Sequence, residues 1–65
     1  MKISYFEDTD TLLIELKPGR VAETRDLDEN TLMELDALGQ VIAITLEHAA
    51  TRAEISRFSF DRVAA

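Results

Sequence analysis

The sequence predicts an α+β fold that is mostly β: an antiparallel meander of about five strands with a short C-terminal helix packed on one face. Three observations carry this. Apolar and polar residues alternate in several short runs, the period-two pattern of half-buried strands. Turn-forming residues separate those runs, at Glu7 to Asp10, at Pro18 and Gly19, at Asp28 to Asn30 and at Asp36 to Gly39. After Glu47 the composition changes to the helix formers Ala49, Ala50, Arg52, Ala53 and Glu54.

Each element follows from its residues. In 1–5, Met1, Ile3 and Tyr5 alternate with Lys2 and Ser4, giving the first strand. Leu12, Ile14 and Leu16 alternate with Thr11, Leu13, Glu15 and Lys17, giving the second, antiparallel because the connecting loop is short. Pro18 and Gly19 supply the fixed and the positive φ that a type II turn requires. The run 21–27 is the third strand and the least regular: Val21, Ala22 and Leu27 are its only aliphatics, and Glu23, Arg25 and Asp26 mark a wet or edge position. Asn30 suits a left-handed turn position before the fourth strand, 31–36. Gly39 sits where a hairpin loop needs positive φ. In 40–47, Ile42, Ile44 and Leu46 face one way and Val41, Ala43, Thr45 and Glu47 the other, with the β-branched enrichment of a sheet. A short helix starts near His48. The run 56–63 fits two readings, since Phe58 and Phe60 alternate like a strand while Ser59 can cap a last helical turn. Phe58 and Phe60 are expected as core or interface anchors over the apolar face. Leu13, Val41 and Ala43, on the nominally wet face, suggest contact with a second copy of the chain.

Length and charge bound the function. Sixty-five residues make one small domain, with a core that is marginal by itself, and the absence of Cys removes disulfides as staples. A reducing, cytoplasmic setting is expected on that ground. Glu7, Asp8 and Asp10 interrupt the opening apolar stretch, so a signal peptide is not expected, and no apolar run is long enough for a membrane span. Seven Lys and Arg against thirteen Asp and Glu give a net charge of −6. Residues 1–36 hold ten acids and four bases, and residues 37–65 three of each. That distribution leaves no basic stripe for phosphates, which excludes autonomous nucleic-acid binding as an expectation.

Tyr5, Asp10, Leu12, Ile14 and Leu16, then Thr24, then Asp36, Ala37, Leu38 and Gly39 followed by Val41, Ile44, Leu46 and Ala49 form a recurring pattern. On these residues the chain resembles domain-of-unknown-function family 2283, small bacterial proteins, over about residues 3–50. The pattern consists of turn and strand residues and carries no chemistry. Leu13, Ala43, Thr45, His48 and Ala50 depart from it at positions where an aromatic, Gly, Glu, Asp and Ser are frequent, which removes polar groups from any shared site. The resemblance implies a compact, mostly β domain with a short helix and no established activity.

Candidate sites are few. Glu7, Asp8 and Asp10 offer oxygen ligands of the kind Ca²⁺ or Mg²⁺ takes, against the simpler reading of a solvated hairpin loop. Asp26, Asp28 and Asn30 match the start of an EF-hand loop, but Thr31 stands where that loop needs Gly and Ala37 where it needs Glu. His48, the only imidazole, cannot build a zinc site without Cys or several converging carboxylates, and as a general base it needs a hydroxyl such as that of Thr45, Thr51 or Ser4 beside it. Arg52, Arg57 and Arg62 recur every five residues, which holds no single helical face, and solvation is their expected role.

The reading these observations favour is a non-enzymatic protein–protein interaction module, with no catalytic, metal or cofactor site. It docks through its acidic half on a basic protein or pairs with itself as a homodimer. In an antitoxin-like or inhibitory version, Glu23, Asp26 and Asp28 mimic phosphate charge in a basic cleft. The alternative is a small-molecule or divalent-cation binder using the loop from Glu7 to Asp10, and an enzyme with His48 as base ranks last.

Overall fold

Five alternating runs become five strands: β1 (Lys2–Phe6), β2 (Thr11–Glu15), β3 (Glu23–Asp28), β4 (Thr31–Leu35) and β5 (Val41–Glu47), followed by one helical turn, α1 (Ala49–Arg52). The computed structural model describes residues 1–64. All pairings are antiparallel, in the order β1-β2-β5-β4-β3, so the five-stranded antiparallel sheet with a short C-terminal helix is present as expected.

The order is finer than a meander in chain sequence. β3, β4 and β5 are consecutive neighbours, and β2 lies against β5 while its chain continues to β3, the Greek-key arrangement. The residues explain it. A central strand is covered on both sides and suits an aliphatic, β-branched run, and β5 supplies that with VIAITLE. All six residues of β3 are exposed, and its charges and a register shift between Asp26 and Asp28 suit an edge.

The connection from β2 to β3 spans three strand separations of roughly 4.8 Å each, and extended chain covers that distance in seven residues. Residues 16–22 make this connection without forming helix, strand or hydrogen-bonded turn, bending at Lys17 and pinned where the Leu16 amide donates to the Ile42 carbonyl at 2.8 Å and the Ala22 amide to the Leu35 carbonyl at 2.8 Å. This overturns the type II turn expected at Pro18 and Gly19, because Gly19 does not have a positive φ. Gly19 instead packs over Ile42 with room for a side chain: a Cβ there would lie 3.4 Å from Cγ2 and 3.5 Å from Cδ1 of Ile42, ordinary contact distances. Positive φ falls at Gly39 (80°), as expected, and at Asp10 (54°) and His48 (55°), and not at Asn30.

Registers give the sheet two unlike faces. One carries the rows Ile3, Ile14, Ile44, Met33 and Tyr5, Leu12, Leu46, Thr31. The other carries Ser4, Leu13, Thr45, Leu32, Asp26 and Lys2, Glu15, Ala43, Glu34, Thr24. Among the described residues, the buried apolar side chains are Leu35, Ile42, Ala43 and Ala49. Ile42 and Leu35, each 4% exposed, lie at the end of the sheet reached by the 16–22 connection, and Ala49 begins α1.

The C-terminal expectations are corrected here. Residues 57–64 form neither a strand nor a helix. Phe58 and Phe60 are 67% and 73% exposed, so they are not core residues. A four-residue helix is too short to carry them back across the sheet. The result is a single sheet layer, with principal extents of 36 × 34 × 18 Å.

The two glycines make opposite predictions. Gly39→Ala forces an L side chain into a left-handed position and should lower stability by about 1 kcal/mol. Gly19→Ala places its Cβ in ordinary contact with Ile42 and should change stability by less than about 0.5 kcal/mol. Urea denaturation of both variants checks this, and a larger loss at Gly19 would restore the turn.

Candidate functional site

Asp10 joins the first strand to the C-terminal helical turn through one carboxylate oxygen. Its left-handed backbone turns the chain from the β1–β2 loop into β2 and aims both of its oxygen-bearing groups at the far end of the sequence. The Tyr5 hydroxyl donates to Asp10 Oδ1 at 2.7 Å, and the Ala50 amide donates to the same oxygen at 2.9 Å. The Ala49 amide donates to the Asp10 carbonyl at 3.0 Å. Residue 48, the N-cap of α1, makes no capping bond with its side chain, so Asp10 satisfies the first helix amides from forty residues away. The Tyr5 hydroxyl, then the Ala50 amide, holds the Asp10 carboxyl below its usual value, and the same bond to Asp10 holds the Tyr5 phenol above its own.

Arg52 fastens the other end of α1. Its guanidinium donates to the Asn30 carbonyl at 2.6 Å, to the Glu47 carbonyl at 3.1 Å and to the Thr31 hydroxyl, and it lies 3.6 Å from Asp28 Oδ2. The expectation of plain solvation for Arg52 is thereby corrected. Its partners are mostly backbone carbonyls at strand ends, which no sequence spacing reveals. Asp36 organises the β4–β5 loop, accepting from the Leu38 and Gln40 amides at 2.9 Å each, with Lys17 Nζ 3.7 Å away. The Gln40 amide first, then Leu38 and Lys17, lowers the Asp36 carboxyl, and the Asn30 amide, with Thr31 and Arg52 assisting, lowers Asp28.

The three acids singled out on β3 do not form one bare patch. Glu23 pairs with Arg25 at 2.8 Å, Asp28 lies near Arg52, and Asp26 stands on the opposite face, opposite Leu32. Glu7 and Asp8 are exposed on the loop whose Asp10 is committed to Tyr5 and Ala50. No three His, Asp or Glu side chains converge as a metal cluster among the described residues. His48 is exposed, and the neighbouring Thr51 hydroxyl donates to the His48 carbonyl at 3.0 Å.

What the sheet does present is its apolar face. The ends are partly closed, by α1 beside Tyr5 and Thr31 and by Gly19 over Ile42. Between them the side chains of the row Ile3, Ile14, Ile44, Met33 are only partly buried. An open groove of about 320 Å³ runs along this face between Ile3, Leu12 and Ile14 on one side and Ile55 and Phe58 on the other. Sequence reasoning assigned this face to the core because it assigned Phe58 and Phe60 to cover it.

Sheet and face together define a one-layer antiparallel domain with one polar and one apolar surface. The chain belongs to the family described as "Protein of unknown function (DUF2283)", whose model matches residues 2–49. The residues that carry the pattern have structural roles on this chain: Tyr5, Asp10 and Ala49 join helix to sheet, and Asp36 and Gly39 shape the last hairpin. No curated protein and no solved structure matches the chain. No helix among the described residues is long and apolar enough to cross a membrane.

Asp10, Asp28 and Asp36 set an acid limit. Each is held below its ordinary value of 3.8 when folded, so the stability they contribute is complete above that pH and is lost as pH falls below it through the folded values. Thermal melts from neutral pH to about pH 2.5 should show the midpoint dropping in that window. Asp10→Asn keeps an acceptor and removes the titration, and should make the drop shallower; an acid limb as steep as the wild type's would contradict the assignment.

Proposed function

We propose that the chain is a non-enzymatic protein–protein interaction module whose contact surface is the apolar face of its sheet. One observation carries the reading: the row Ile3, Ile14, Ile44, Met33 crosses four strands with each side chain only partly buried, and the groove along its Ile3 and Ile14 end is flanked by the exposed Phe58. Contiguous apolar surface of this kind, rimmed by charge, is characteristic of protein contact sites. The polar rim here is Arg25 paired with Glu23, Arg52 near Asp28, and Glu54 and Arg57 beside the groove, charges of both signs that a partner meets at the margin of the row.

The inhibitory version, with Glu23, Asp26 and Asp28 in a basic cleft, draws less support, since two of the three acids have cationic neighbours and the third faces away. A small-molecule reading rests on the groove beside Phe58. Its 320 Å³ stands at the low end of the roughly 300–1,000 Å³ of ligand pockets. Tyr5, Glu54 and Arg57 are its only polar-tipped lining residues, a sparse set for orienting a small ligand.

A photoreactive phenylalanine analogue tests the reading when placed at Phe58 or Met33 on the apolar side and at Thr24 on the polar side. Irradiation in native host lysate should give discrete polypeptide adducts from the first two positions and none from Thr24. Reversing Glu23, Asp26 and Asp28 to Lys should leave the adducts unchanged. An adduct pattern that disappears on charge reversal would favour the acidic edge, and no adduct from Phe58 or Met33 would reject the module.

A further inference from the structure

We infer that the occupant of the apolar face is a second copy of this chain, packed face to face so that two one-layer sheets form one sandwich. The inference rests on the reading of that face as a contact surface and adds the partner's identity. It begins with surface area. The chain exposes 5272 Å². A folded monomer of 7.3 kDa is expected to expose about 4,200 Å². The excess is about 1,100 Å², and a stable interface of standard size covers about 800 Å² on each partner. The excess is of the size one partner contributes to a stable interface, and it is shared between the partly buried sheet face and the exposed residues 56–64 that follow the helix.

Shape and charge then favour self-pairing. Two sheets stack about 10 Å apart with their inner side chains interdigitated, and a two-fold contact requires one patch to complement itself. The rows Ile3, Ile14, Ile44, Met33 and Tyr5, Leu12, Leu46, Thr31 meet that requirement, being free of ionisable carboxylates and amines across β1, β2, β5 and β4. The opposite face holds Lys2, Glu15, Glu34 and Asp26, and the carboxylates on the apolar side, Glu23 and Asp28 at the β3 edge and Glu54 beside the groove, lie at its margin, the first two next to Arg25 and Arg52. This moves self-association from the face of Leu13, Val41 and Ala43 to the other one. Ala43 is already buried, and polar side chains flank it. Phe58, exposed and lining the groove along this face, extends the apolar area toward the incoming sheet.

Sedimentation equilibrium of the full chain measures the mass directly, and the expected result is twice 7.3 kDa. Met33→Lys should weaken the dimer by roughly tenfold or more, while Thr24→Lys, on the opposite face of the same sheet end, should leave it unchanged. Should Met33→Lys fail to fold, a mixed sample decides: wild-type chain with isotopically labelled methyl groups is combined with a Phe58→Cys chain carrying a nitroxide. Broadening of the Ile14, Ile44 and Leu12 methyl signals is expected. A 7.3 kDa species at millimolar concentration overturns the inference, as does a dimer whose broadening falls on the backbone of β1 alone. A monomer that still forms adducts with other polypeptides through Phe58 rejects only the second copy as partner, and a monomer without adducts rejects the module as well.

Discussion

Asp10 makes the bond on which the arrangement of the chain depends. A helical turn of four residues has too few internal hydrogen bonds to persist by itself, and its first amides need acceptors. Asp10 provides them with its carboxylate and its carbonyl while the same carboxylate holds Tyr5 on β1. With Arg52 bound to Asn30, Thr31 and Glu47, the turn is fastened at both ends to the same end of the sheet. Ala49 is consequently buried completely, and the chain leaves α1 along the margin of the apolar face rather than across it. The open row of the sheet is therefore a consequence of where Asp10 puts the helix.

An open row has an energetic meaning in a chain this small. Burying an aliphatic side chain contributes roughly 1.5–3 kcal/mol relative to leaving it exposed, and the ordering of the backbone opposes folding by a similar sum over the chain. Only Leu35, Ile42, Ala43 and Ala49 are buried among the described apolar residues, while Ile3, Leu12, Ile14, Met33, Ile44 and Leu46 each bury only part of their surface. In the proposed dimer, completing that burial against a second sheet supplies the layer that domains of this class need on the apolar side of a sheet. Polar staples at Asp10, Arg52 and Asp36 fix the geometry of the single layer, and in the proposed pairing apolar contact with a second copy completes its core.

Much of this was legible in the sequence, and the misreadings have physical causes. Alternation placed all five strands within a residue or two, since a half-buried sheet imposes that period directly on Ile3 and Tyr5, on Leu12 and Ile14, and on Ile42, Ile44 and Leu46. Gly39 was legible because its hairpin requires positive φ. Pro18 and Gly19 were not, because the same pair serves an irregular connection when the strands it joins lie three places apart. Asp10 could be read as loop chemistry but not as a cap for α1, since the cap is tertiary and the local N-cap position holds His48. Of the two roles expected for Phe58 and Phe60, the core one fails because it counted apolar residues toward a core within one chain, where the short helix leaves both exposed. The acids on β3 showed their number and not their pairing with Arg25 and Arg52, which depends on strand face and on where α1 ends.

The most direct test of the account is the urea midpoint of the wild-type chain measured across protein concentrations from micromolar to millimolar. If the apolar face completes its core with a second copy, unfolding also dissociates the pair, and the midpoint should rise with each increase in concentration. A midpoint that stays constant over the whole range would mean that the single sheet is stable with its apolar face exposed, and would contradict the account.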